Sequence, residues 1–269
     1  MTGPNQMIAF TGDGKHIVTF GNDTVWGSTN DTTVIGAGGG NTIGLVGNNN
    51  VIDGSGGTDT IWASGDGDTI TGGPGDLIGA VGNNESIGGG SGHDTVWVFG
   101  TGDTITGSND TIVGQTGTQT IGFVGDDDSL VGGTGNGTYD ASGNNDTITA
   151  GVGDKTLNVV GNNNSIGLGL GNDTVNMSGN LDTVTAGTGG TALINMGGTN
   201  QTFQDTTGIY NDTIVGFDQG GGDRIQLTGG DTVASLTPVN GGQDTLITLS
   251  DNSTILLKGV THVDNSFFS

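Results

Sequence analysis

The residues of this chain that can do chemistry are carboxylates set just after glycine turns. In GGSGHDTVW, residues 89–97, Asp94 follows three glycines and stands two residues ahead of Val96. Asp23, Asp59 and Asp173 take the same offset from Val25, Ile61 and Val175, within FGND, GSGGTD and LGLGND. Asp68, Asp103, Asp128, Asp146 and Asp182 share it with the turn glycine one residue further upstream, and Asp76 completes the set. Such positions offer hard oxygen donors: a carboxylate, plus carbonyls that glycine lets the backbone turn inward. These suit Ca2+. The same residues also close tight turns without metal, because Asx side chains bond their own backbone, but the repetition favours metal. His93 reads as a solvated turn residue and not as a transition-metal ligand. Asn41, Asn50, Glu85, Gln119, Asn164 and Thr191 interleave with the aspartates, Gly137 stands at the ligand offset in GGTGNG, and Lys155 stands at another. Fewer calcium ions than turns are therefore expected, with asparagine ladders elsewhere.

The elements that must hold these carboxylates are set by a short repeat. Marking the aliphatic after each Asx-Thr pair, or its relic, gives Ile17, Val25, Val34, Ile43, Ile52, Ile61, Ile70, Ile78, Ile87, Val96 and Ile105. The series resumes with Ile121, Leu130, Tyr139, Ile148, Leu157, Ile166, Val175, Val184 and Leu193, and nearly every step is nine residues. Each repeat supplies one to three strand-like residues and a Gly/Asn/Asp turn, too short for a helix and lacking a helical period. The turn glycine alternates between four and five residues upstream of the marked position, as a flattened coil with two different edges requires. The expected fold is all-β: a parallel β-roll or β-solenoid of about 18 residues per turn and about ten turns, with a C-terminal β cap.

One place breaks the repeat. The step from Ile105 to Ile121 is sixteen residues, and counting Ile112 as a strand would put every later glycine class on the opposite edge. A loop insertion is therefore expected near 106–116. The chain divides into an N-terminal strand or cap (1–11), the solenoid (12–199) and a C-terminal region (200–269) where YNDTIVGFD, GDRIQL and DTLITLSDNSTILLKGV read as longer antiparallel strands capping an open end. Trp26, Trp62 and Trp97 recur at 36 and 35 residues in outward positions. They should line one face at intervals of two turns, as packing or as a contact stripe for another protomer or a glycan.

Composition limits the function. The chain of 269 residues has 59 glycines, 28 acidic and four basic residues, a net charge of −24 and no cysteine. That charge excludes nucleic acid and anionic membrane as partners and points to cations. Only 30% of residues are apolar, too few to offset chain entropy without regularity or bound ions. MTGPNQMIAF lacks the charged and apolar regions of a cleavable signal peptide, and no stretch approaches a membrane span, so neither leader nor membrane insertion is expected. There is no H-E-x-x-H motif, no nucleophile and base pair, and too few Lys or Arg for a usual polysaccharide lyase site. A non-enzyme is expected.

The glycine-rich nonapeptide around Asp94 resembles that of the RTX (repeats-in-toxin, hemolysin-type) proteins. The resemblance implies a β-roll with Ca2+ between adjacent turns, held by turn carbonyls and the final aspartates; of these Asp94 matches fully and Asp23, Asp59 and Asp173 in part. The last 60 or so residues, ending VDNSFFS, resemble the C-terminal region of RTX proteins exported by type I secretion, which implies an extracellular or cell-surface location. The expected function is a secreted calcium-binding structural protein that folds outside the cell and self-assembles head to tail into a filament, surface layer or matrix. A surface-binding protein (a glycan adhesin or, through Thr-x-Thr pairs such as Thr69/Thr71 and Thr104/Thr106, an ice binder) and an accessory module of a secreted enzyme are the alternatives.

Overall fold

The computed structural model describes residues 3–90, 92–228 and 230–269; Met1 and Thr2 of the expected N-terminal strand and Ser91 of the GGSGHDTVW stretch lie outside them. The fold is an all-β parallel β-solenoid of about 12 turns, about 18 residues each, with almost no helix. It comprises two compact units, Met1–Val131 and Gly132–Ser269.

In the first unit successive strands alternate between two sheets. One joins Met7–Thr11, Thr24–Ser28, Thr42–Val46, Thr60–Ser64, Leu77–Val81, Thr95–Phe99, Thr111–Gly114 and Ser129–Val131. The other joins His16–Thr19, Thr33–Gly36, Val51–Asp53, Thr69–Thr71, Ser86–Gly88, Thr101–Thr106 and Gln119–Val124. Neighbours are parallel, and Val25, Ile43, Ile61, Ile78, Val96, Ile112 and Leu130 stack in register as one fully buried column. Because side chains alternate along a strand, the flanking Thr and the residue after the aliphatic face outward. Each buried aliphatic contributes about 1.5–3 kcal/mol, and repetition compensates for a low apolar content.

The turns between strands need backbone that only glycine supplies cheaply. At Gly100 φ is +142°, and a Cβ would run into the carbonyl oxygen of Gly82 one turn below. Hence the glycine alternation reports the edge on which each turn lies as far as the strand Thr101–Thr106.

The expected insertion near 106–116 is corrected by this arrangement. Thr111–Gly114 is a regular rung, with Ile112 fully buried and paired to Val96 and Leu130. NDTIVG repeats the Asx-Thr-aliphatic signature of its neighbours, and a short seven-residue step from Ile105 suffices because the turn before it is compact. The consequence is the exchange of classes that had argued against it. Before this rung the first sheet carries the five-residue strands and the second mostly shorter ones, as with Leu77–Val81 and Ser86–Gly88, although Thr101–Thr106 already has six residues. After it Gln119–Val124, with six residues, falls in the second sheet and Ser129–Val131, with three, in the first.

The second unit repeats the scheme. Short strands Thr147–Thr149, Ser165–Gly167 and Thr183–Thr185 stack with Thr202–Gln204 and Arg224–Gln226, while Gly137–Ser142, Lys155–Val160, Leu170–Asn180, Gly189–Asn195 and Asn211–Val215 form the facing sheet. Leu193 is not the inward residue of its rung: Ile194 is, aligned with Val175, because that step is 19 residues long. Nor do the parallel rungs stop at 199. YNDTIVGFD and GDRIQL form rungs in register with the solenoid, burying Ile214 and Ile225, since each keeps an inward aliphatic after an Asx residue. Among the described residues antiparallel pairing is confined to Val233–Val239, Asp244–Leu249 and Thr254–Lys258, the last of which runs parallel to Asn211–Val215. Phe217 and Phe267 stack at 5.6 Å beside this end.

Candidate metal-binding turns

Every aspartate singled out by its offset is buried, and each lies in a column at a sheet edge. In the first unit one column runs Asp23, Asn41, Asp59, Asp76, Asp94, Asp110 and Asp128, and each side chain reaches the preceding turn. Asn41 Oδ1 accepts from Asp23 N at 3.0 Å, Asp59 Oδ1 from Asn41 N at 2.7 Å, Asp76 Oδ1 from Asp59 N and Asp94 Oδ1 from Asp76 N both at 2.6 Å. Asp110 Oδ1 and Asp128 Oδ1 continue the ladder at 3.2 and 2.9 Å. The second column runs Asn50, Asp68, Glu85 and Asp103, joined the same way at 2.7 to 3.0 Å. In the second unit Asp146, Asn164 and Asp182 form one such series, and Lys155 N donates to Asp173 Oδ1 at 2.9 Å in another.

The first carboxylate oxygen therefore ties one turn to the next, which is the turn-closing role. What the second oxygen does separates the members. Asp23 Oδ2 accepts from Phe20 N at 3.0 Å and Asp76 Oδ2 from Gly73 N at 2.6 Å. The second oxygens of Asp59, Asp68, Glu85, Asp94, Asp103 and Asp110 are buried with no hydrogen-bond partner.

Where the ladder residue carries a donor instead, that position is satisfied by turn carbonyls. Asn50 Nδ2 donates to Gly47 O at 2.9 Å, Asn164 Nδ2 to Gly143 O at 3.2 Å, and Asn41 Nδ2 to Gly38 O. Lys155, buried in the same place, donates from Nζ to Val152 O at 2.7 Å and to Gly135 O. An amide or ammonium thus fits a slot bordered by carbonyls. A carboxylate in the equivalent slot brings no N–H for those carbonyls and leaves its own second oxygen without a donor, a lack that a proton or a cation fills.

Electrostatics agree. Burial first, and then the charge of Asp76, pushes Asp59 and Asp94 up to about 6. Burial, with Asp94 and Asp128 adding, takes Asp110 to about 7, and burial with Asp68 and Asp103 takes Glu85 to about 8. Burial likewise raises Asp68, Asp76, Asp103, Asp128, Asp173 and Asp182.

The donor set suits a hard cation, with a limit. Among the described residues no three His, Cys, Asp or Glu side chains converge on one point, so turn carbonyls must complete any coordination shell. Glycine leaves room for one: a Cβ on Gly89 would lie 3.0 Å from Asp94 Oδ2 and 2.5 Å from Asp110 Oδ2. Asp110, Asp212 and Asp223 were not among the predicted ligands, yet all three are buried ladder members. For Asp110 the signal was the NDTI match to neighbouring repeats; Asp212 and Asp223 follow rungs too long for the nine-residue count.

Fold and turns together define a parallel β-solenoid with carboxylate-lined edges. No family model and no curated protein matches the sequence. A solved structure with some likeness is that of the extracellular lipase LipA from Serratia marcescens, 18% identical, with a TM-score of 0.32 over 81% of this chain. The match spans 39% of the lipase chain.

Proposed function

We propose that the chain is an RTX-type calcium-binding β-roll protein that works outside the cell in a structural role. The observation that carries this reading is the exchange of donors in one ladder slot: Asn50, Asn164 and Lys155 point N–H groups at turn carbonyls, and Asp59, Asp94 and Asp110 hold a bare carboxylate oxygen in the equivalent place. Ca2+ supplies positive charge for carboxylate and carbonyl oxygens together. Asp59, Asp68, Asp94, Asp103 and Asp110 are its foremost ligands, and Lys155 is a covalently tethered cation that makes its own turn independent of metal. In a compartment poor in calcium the ionised ladders oppose folding; millimolar calcium outside favours it.

The strand edge of the first rung supports a structural role. Among the described residues Met7–Thr11 pairs on one side, with Thr24–Ser28, and a strand edge of this kind can receive a strand from a second copy. Circular dichroism and electron microscopy in EDTA and then in millimolar CaCl2 test both parts. The reading expects calcium to restore the β spectrum and to drive end-to-end assembly. Identical spectra in the two buffers at pH 7.5 would refute the calcium reading, and monodisperse particles at all concentrations would refute assembly.

A further inference from the structure

Trp26, Trp62 and Trp97 stand in one column on the outer face of the first unit's long-strand sheet. Gly44 and Gly79 occupy the alternate positions: Trp26 pairs in register with Gly44, Gly44 with Trp62, Trp62 with Gly79, and Gly79 with Trp97. The rings of Trp26 and Trp62 lie where side chains of Gly44 and Gly79 would be, so each indole covers the neighbouring rung. Trp62 and Trp97 meet at 5.6 Å with planes tilted 37°, while Trp26 remains 48% exposed. The result is an aromatic strip running across the strands, along the direction in which rungs stack.

Two properties of this face select its occupant. No outward position on the strands from Met7–Thr11 to Thr111–Gly114 carries a charge, in a chain whose net charge is −24. One border is a threonine column, Thr42, Thr60 and Thr95, interrupted by Leu77, and the other alternates Val46, Ser64, Val81 and Phe99. Second, the face is small for a protein partner. Strands about 4.8 Å apart and residues about 3.3 Å apart give the rungs from Thr24–Ser28 to Thr111–Gly114 roughly 30 by 16 Å, on the order of 500 Å2. A stable dimer needs about 800 Å2 from each partner.

We propose that this face binds a neutral, extended polysaccharide lying along the strip. Sugar rings present apolar C–H faces to the indoles, and their hydroxyls meet the threonine column. The chain's net charge of −24 turns away anionic glycans. The proposal does not depend on the role of calcium, provided that binding is measured on folded protein.

The test uses the full chain in millimolar CaCl2, with retention on cellulose and on chitin particles and a sulfated glycan resin as the charge control. Retention on at least one neutral polymer and none on the sulfated one is expected. W62A and W97A should each weaken retention roughly tenfold or more. W62F, which keeps a ring over Gly79, should retain most of it while its circular dichroism matches wild type. Failure of both neutral polymers to retain the wild-type protein, or retention unaffected by W62A and W97A, overturns the proposal. So does concentration-dependent dimerisation that these substitutions abolish, which would make the face a contact between copies, and so does thermal hysteresis lost with them, which would make ice the ligand.

Discussion

A buried carboxylate that accepts a backbone N–H on one oxygen and has no donor for the other leaves half its hydrogen-bonding capacity unmet, and the predictions at the scale of residues rest on that half. Exchanging Asp94 or Asp110 for Asn keeps the inter-turn acceptor and adds an N–H for the turn. D94N and D110N should stabilise the calcium-free protein by about 1–2 kcal/mol in urea unfolding with EDTA, and each should lower the calcium stoichiometry in titration calorimetry. D94A, which leaves Asp76 N without its acceptor, should instead cost about 1–3 kcal/mol. Lys155 offers the converse: K155M orphans the carbonyls of Val152 and Gly135 and should cost about 1–3 kcal/mol with or without calcium. The ladders also set a pH dependence. Asp59 and Asp94 titrate near 6, Asp110 near 7 and Glu85 near 8 in the fold, against about 4 in an unfolded chain. Raised values mean the native state holds protons more tightly, so their contribution is full below about pH 4 and is lost as pH rises through 6 to 8. Urea midpoints in EDTA should climb as the buffer is taken from pH 8 to pH 5, and a falling midpoint would contradict the geometry of the slots.

At the scale of elements the rung is the unit of stability, and Ile112 shows what a rung costs to lose. It is fully buried between Val96 and Leu130, so I112A should destabilise by about 2–5 kcal/mol; a change under about 0.5 kcal/mol would return this segment to a surface loop. Most rungs were legible from sequence, because a period of two within each strand and of nine between strands leaves few ways to bury an isolated aliphatic. The rung at Ile112 was not. The glycine alternation by itself binds each class to one edge throughout, whereas a seven-residue step lets the classes exchange sheets with no loss of inward register. Leu193 was misplaced for a similar local reason, one additional residue in the Gly189–Asn195 strand region turning Ile194 inward. After residue 199 turns lengthen, and counting by nine fails although inward aliphatics such as Phe203, Ile214 and Ile225 persist.

For the whole molecule the dominant quantity is charge. With 28 acidic residues against four basic ones, self-repulsion opposes the compact state unless it is screened or neutralised. Thermal unfolding in EDTA should therefore move upward with added NaCl as screening shortens to roughly 8 Å near 0.15 M. CaCl2 at far lower ionic strength should move it further, because it acts at defined slots. Equal shifts at equal ionic strength would reduce calcium to a screening ion. The sequence by itself determined that the chain is a coil of short parallel strands with acidic, glycine-rich edges, since a nine-residue spacing of aliphatics admits no helix and no long antiparallel strand. It did not determine which aspartates share an edge: Asp128 carries the glycine spacing of Asp103 yet joins Asp94 and Asp110 in one column, because the strand classes exchange sheets at Ile112. Only the tertiary structure decided which carboxylate oxygens are satisfied, which turns are filled by an amide or by Lys155, and where the strand classes change sheets. Those outcomes depend on what the next turn presents across a gap of about 4.8 Å, a contact between residues some 18 positions apart that local spacing does not encode.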